Sequence, residues 1–220
     1  MENQIERIKT KLTELRQCDK DKSLFGASIH EYKLNNVLTV KEIRNFESTH
    51  NIILPKGYVL FLINIGNGGA GPFYGLEPLK NTIFNDLDYP DPEDLLNPSK
   101  PFLHKEPWNI EFIPTVTEQE SQEKFDEEYD KFSNQYFNSN IISGTLNICN
   151  FGCAVSLLLI VNGPEYGTIW TDDRASDMGI YPSKQLGNSY KITFLDWYEL
   201  WLNNSISKIK SLPNNNDNMV

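Results

Sequence analysis

Several residue groups in the 220-residue chain have types and spacings that suggest chemistry, and each has a structural condition attached. Gly66-Asn67-Gly68-Gly69-Ala70-Gly71 satisfies the G-x-G-x-x-G pattern that cradles a dinucleotide pyrophosphate. That use needs a strand before the turn and a helix N-terminus after it. The order predicted around these glycines is helix then strand, so they read as a turn with left-handed backbone. No P-loop lysine or kinase signature is present. His30, His50 and His104 stand far apart, with no His-Glu-x-x-His spacing. Cys149 and Cys153 flank a predicted turn, but two thiols without a second pair do not close a zinc shell. There is no Gly-x-Ser-x-Gly elbow, and the clustered carboxylates sit in polar segments without the apolar neighbours that would raise a pKa. No catalytic residue, metal or cofactor is expected. Trp170-Thr171-Asp172-Asp173-Arg174 reads equally as a binding rim or as a core tryptophan followed by a turn.

The elements that must position these groups follow from periodicity. Residues 3–16 place Ile5, Ile8, Leu12 and Leu15 on one helical stripe. Thr39 with Glu42 three residues on predicts a capping box opening a helix to His50, with Val40, Ile43 and Phe46 inward. Leu54-Pro55 opens a third helix carrying Tyr58, Phe61, Leu62 and Ile65, with proline at its first helical position. Phe73–Leu76 reads as a short strand, residues 80–116 as mostly loop, and 118–137 as a helix with Phe125, Tyr129, Phe132 and Tyr136 on its buried stripe. Residues 144–171 form a meander of three strands, 145–149, 154–161 and 168–171, with the first turn at Phe151-Gly152. Thr193 caps a last helix in which Leu195, Tyr198, Leu202 and Ile206 pack and Trp197 and Trp201 lie one turn apart.

Charge is localised. The chain has 30 acids against 20 Lys and Arg, which disfavours nucleic acid and anionic membrane as partners. Residues 86–130 hold 14 of the acids and only Lys100, Lys105 and Lys124, leaving the remainder nearly neutral. Asp86, Asp88, Asp91, Glu93 and Asp94 form one cluster; Glu120, Glu123, Asp126, Glu127 and Glu128 belong to the other. Such a segment is either a solvated insertion or a docking face for a basic protein, imitating a phosphate backbone if that protein is a nuclease. Three cysteines at low density and a polar, charged start predict a reducing compartment, the cytoplasm, with no signal peptide; the longest apolar run, around residues 154–161, is far too short to span a membrane.

Three blocks taken together carry a resemblance. They are Leu54-Pro55-x-x-Tyr58-x-x-Phe61-Leu62 running into residues 66–76, then Gly152-Cys153 through Leu157, Val161, Gly163, Gly167 and Trp170, then Phe194-x-x-Trp197-x-x-Trp201-Leu202. In order and spacing the set resembles the SUKH superfamily, the Smi/Knr-like branch that includes a yeast cell-wall and killer-toxin-resistance regulator. The likeness covers roughly residues 37–205, and the acidic stretch is longer than the family needs. It implies a single α+β domain, helices against a curved, mostly antiparallel sheet, without known catalytic activity; bacterial members are typically immunity proteins that neutralise a toxin.

The expected organisation is therefore an N-terminal helical extension at 1–36, a SUKH-like domain at 37–210 with an acidic insertion at about 86–130, and a disordered tail at 211–220. The expected function is an immunity protein that occludes a cognate, basic toxin domain through both acidic clusters together with Tyr74, Trp170, Asp172 and Asp173. Two other classes stay open. One is a non-catalytic regulatory scaffold. The other is a small-molecule-binding protein or enzyme, which would need a deep pocket of Tyr74, Trp170 and Asp172 with perturbed titratable groups.

Overall fold

The structure is a computed structural model that describes residues 1–212. The amphipathic stripe of residues 3–16 has one outlet, an apolar partner, and finds it in the C-terminal helix. Helix α1 (Glu2–Cys18) buries Ile5, Ile8, Leu12 and Leu15 against the last helix, which spans Phe194–Ser211. A polar tie fixes the register of the two: Glu199, nearly buried, receives Arg7 at 2.8 Å and Lys11 at 2.7 Å. The Arg7 hydrogen bond leads in holding this carboxyl down at about 2.

A short helix α2 (Ala27–His30) follows, then α3 (Val40–His50) and α4 (Lys56–Asn64). The capping box forms as expected: the Thr39 hydroxyl accepts from the Glu42 N–H while the Glu42 carboxylate accepts from the Thr39 N–H. Of the predicted inward stripe, Ile43 is buried and Phe46 half-buried, but Val40 is exposed, as are Lys41 and Glu42 beside it in the first turn of α3. Pro55 sits at the N-cap, one residue before the first helical position, and Tyr58, Phe61 and Leu62 fill the core. The glycine run is a junction of backbones. Gly68 and Gly69 have φ of +81° and +97°, and a Cβ on Gly69 would stand 2.5 Å from the Lys33 carbonyl oxygen. Gly69 thereby bridges Leu34 on one side and Leu76 on the other.

Phe73–Leu76 is not a strand. Phe73 has φ +54° in a tight turn, and only Leu76 joins a ladder, bridging Gly69 and Cys149 along the outer edge of the sheet. That sheet is an antiparallel meander in the order β1 (Thr145–Gly152), β2 (Val155–Ile160), β3 (Ile169–Asp173), β4 (Gly179–Pro182). The β1–β2 turn lies at Cys153-Ala154, both at positive φ, rather than at Phe151-Gly152. Gly152 still pairs with Val155 and closes a bulge against the Tyr74 ring, a place where a Cβ would come within 2.9 Å of that ring. β4 lies beyond the expected three strands.

Alternation along the strands divides the core into two layers. Leu146, Ile148, Leu157, Leu159 and Ile169 face helices α1 and α4 and the C-terminal helix. Leu158, Ile160, Trp170 and Ile180 face the other way and are covered by Leu96, Phe102 and Ile142. The molecule is thus a single α+β domain in which the charged segment roofs the second face of the sheet. Helix α5 is Gln122–Tyr136, capped by Ser121 and four residues shorter at its start than expected; α6 is the C-terminal helix, Phe194–Ser211. At the N-cap of α6 the Thr193 hydroxyl donates to Asp196. The expected tail, 211–220, lies outside the described residues except for Ser211, which ends α6, and Leu212. Among the described residues no helix is long and apolar enough to cross a membrane.

His30 supplies a prediction. Its ring is 9% exposed, its Nδ1 accepts the Tyr32 N–H, and burial pushes its pKa down from 6.5 to about 4. The folded state holds it neutral where the unfolded chain is charged, so its contribution is complete above pH 6.5 and is lost as pH falls toward 4. Urea midpoints should decline over that window, with a loss of about 2 kcal/mol at pH 5 attributable to this residue. His30→Gln is expected to flatten the decline.

Candidate functional site

The acidic segment begins as a loop in which backbone N–H groups hold Asp86 and Asp91 and side-chain amides hold Asp88 and Asp94. Asp86 accepts the N–H groups of Asp88 at 2.7 Å and Tyr89 at 3.0 Å, Asp91 accepts that of Glu93, and Asp94 accepts the Asn85 amide. Asp88 reaches out of the loop to the Asn150 amide of β1 at 2.6 Å. All five acids of this cluster are exposed.

The second cluster rides on α5 and the turn before it. Glu120 accepts from Thr117, whose backbone N–H and hydroxyl hold its pKa down, and Asp126 accepts the Gln122 amide. Glu128 is different. It takes both the hydroxyl and the N–H of Thr115, which lower its pKa, so it pins the loop before the helix. Glu128→Gln is expected to speed hydrogen exchange at the Thr115 amide while leaving strands β1–β4 protected, a difference that exchange measured by NMR resolves. Glu123 and Glu127 point to water.

Opposite charge is scarce around these groups. Of the fourteen acids in residues 86–130, only Glu128 lies within 4 Å of a cation, Lys124 at 3.9 Å. Among the fifteen described acids elsewhere, Glu6, Glu14, Glu31, Glu165, Asp172 and Glu199 are ion-paired. Ion pairing thus reaches six of the fifteen described carboxylates in the main body and one of the fourteen in this segment.

Aromatic contacts tie the segment to the sheet. Phe112, between the two clusters, packs on Phe125 (5.5 Å), Tyr129 (5.4 Å) and Phe132 (5.2 Å). Phe132 stacks on Tyr136, Tyr136 on Trp108, and the series continues through His104 and Phe102 to Trp170 at 4.9 Å. The predicted stripe of α5 faces this row, although only Tyr136 is fully buried, since the cover is a single loop rather than a second layer. Burial keeps His104 below its ordinary pKa and Tyr136 above.

Trp170 must be reassigned accordingly. It is completely buried, its indole N–H donates to Thr168, and Lys191 lies over its ring at 5.7 Å, so it is the root of the aromatic row and not part of a binding rim. Asp172 is committed to Arg174, a buried guanidinium that also donates to the Tyr136 and Asn138 carbonyls. Asp173 accepts the Tyr181 hydroxyl, whose pKa is pushed up to about 12, first by burial. Tyr74 is exposed elsewhere, against Phe25 at 5.1 Å. A pocket of Tyr74, Trp170 and Asp172 does not form. What does form is a polar cleft of about 180 Å³ in which Asp86, Asp88 and Asp172 meet Arg174 and Phe137. From the sequence, Arg174 is only the end of the Trp170–Arg174 stretch with no role assigned, since nothing in the local pattern distinguishes a buried guanidinium from an exposed one.

Cys149 is buried, with its thiol pushed up by burial, whereas Cys18 and Cys153 are exposed. Among the described residues no three metal-ligating side chains converge. Comparison with known proteins finds no matching family model, no matching curated protein and no matching solved structure. The site therefore rests on its geometry: two clusters of exposed carboxylates with almost no ionic partners, the second on a helix seated against an aromatic row.

Proposed function

We propose that this chain is an immunity-type protein of the SUKH kind, which binds a basic toxin domain in the cytoplasm and occludes its working surface without doing chemistry itself. The observation that supports this reading most is the contrast in ion pairing between the acidic segment and the rest of the fold. Uncompensated like charge destabilises a compact state, so a segment with one ion-paired acid among fourteen, against six among the fifteen described elsewhere, carries a cost that a basic partner relieves. Asp86, Asp88, Asp91, Glu93 and Asp94 form one arm of the face, and Glu120, Glu123, Asp126 and Glu127 the other; Asp172 and Glu128 serve as supports.

The test is co-expression with a toxic domain encoded beside this chain's gene. Rescue of growth, together with co-purification of the two proteins as a stable complex, supports the reading. Continued toxicity without complex formation, or turnover of a small molecule by the purified chain, contradicts it.

A further inference from the structure

Trp201, Ser205 and Lys208 stand at steps of four and three along α6, so they share one face of that helix. This face forms one wall of a pocket of about 250 Å³, whose other walls are Leu24 and Phe25 from the connection between α1 and α2, Phe73 and Leu186. The rings are held from behind. Phe25 packs on Tyr74 at 5.1 Å, Phe73 on Phe151 at 4.3 Å and Trp201 on Tyr198 at 5.2 Å. An apolar group that enters between walls so placed displaces water without rebuilding the fold.

The polar part of the lining is small, and half of it is already engaged. Gln185 accepts from Thr171 and Ser183 and donates to Tyr181, and Asn204 donates to the Leu186 carbonyl. Ser205 differs: it is only 8% exposed, yet its hydroxyl makes no hydrogen bond among the described residues. A buried hydroxyl that gives up water without gaining a partner costs free energy, so it marks a place for a ligand atom. One turn on, Lys208 is the single charged residue of the lining, and among the described residues its ammonium has no carboxylate within 4 Å. An anion therefore meets an unpaired cation and a free hydroxyl donor, whereas a cationic ligand would meet Lys208. Volume limits the ligand's size. An apolar cavity of roughly 150 Å³ takes benzene, so the 250 Å³ here suits one ring with a short acidic arm. We infer that this pocket binds a small aromatic carboxylate, its ring between Phe25, Phe73 and Trp201 and its carboxylate on the Ser205 hydroxyl and the Lys208 ammonium. No residue of the acidic segment lines the pocket, and the inference does not rest on the toxin-binding reading.

Isotope-labelled full chain can be titrated with 3-phenylpropanoate, with its neutral amide, with 3-phenylpropylamine and with propanoate, following the Trp201 indole N–H and the Ser205 amide by NMR. The expected result is saturable shifts of both signals with 3-phenylpropanoate and about tenfold weaker binding by the amide, which lacks the charge-assisted bonds. The amine, with the wrong charge, and propanoate, with no ring, should give no saturable shift. Lys208→Gln, at an exposed position, should keep the thermal midpoint, weaken 3-phenylpropanoate by several-fold and leave the amide's affinity unchanged. Absence of saturable shifts with 3-phenylpropanoate overturns the site. Equal binding by the carboxylate and its amide, or a carboxylate affinity untouched by Lys208→Gln, overturns the assignment of an anionic head to Ser205 and Lys208. None of these outcomes alters the toxin-binding reading, which growth rescue tests separately.

Discussion

Replacing Trp170 by alanine is expected to lower the unfolding free energy by about 3–5 kcal/mol, the range for deleting a buried aromatic ring from a core that relaxes only partly. Trp170 has no exposed surface and ends the aromatic row that runs through Phe102, His104 and Trp108 to α5. The loss should therefore appear twice: in a lower urea midpoint, and in faster hydrogen exchange along α5, more than thirty residues away in sequence. Trp170→Phe keeps a ring at the same root and is expected to cost substantially less. Were Trp170 a binding residue, alanine would leave stability almost unchanged and impair only complex formation.

Reversing Glu123, Asp126 and Glu127 together to lysine should slow association with the basic partner by about 10- to 100-fold at low salt, within the span that electrostatic steering supplies. All three are exposed and none is ion-paired, so the fold should keep its thermal midpoint within a few degrees. Glu128 is left in place because its bonds to Thr115 are structural. Stopped-flow association and growth rescue in the presence of the toxic domain read the two consequences separately. Full rescue and an unchanged association rate by the triple variant would remove α5 from the interface.

Much of the fold was legible because helices and strands announce themselves through local spacing. Ile5, Ile8, Leu12 and Leu15 at steps of three and four, and the Thr39–Glu42 box, are local signals, and both took the expected form. The errors occurred where distant residues decide. Gly152 looks like a turn glycine until Tyr74, far away in sequence, is placed against it. β4 is four residues without alternation, and its outer neighbour is Trp108. The same holds for the site. Clustering of carboxylates is visible in sequence, and so is their excess over lysine. Their lack of ionic partners, the burial of Trp170 and the pairing of Asp172 with Arg174 are products of tertiary contact.

The most direct trial of an anionic capture surface is the salt dependence of association between the full chain and the basic toxic domain. The rate constant should fall by about tenfold or more between roughly 50 mM and 500 mM salt, as ions screen exposed charge, while the dissociation rate changes little. An association rate indifferent to salt would contradict the account, because the bare carboxylates of residues 86–130 would then have no part in meeting the partner.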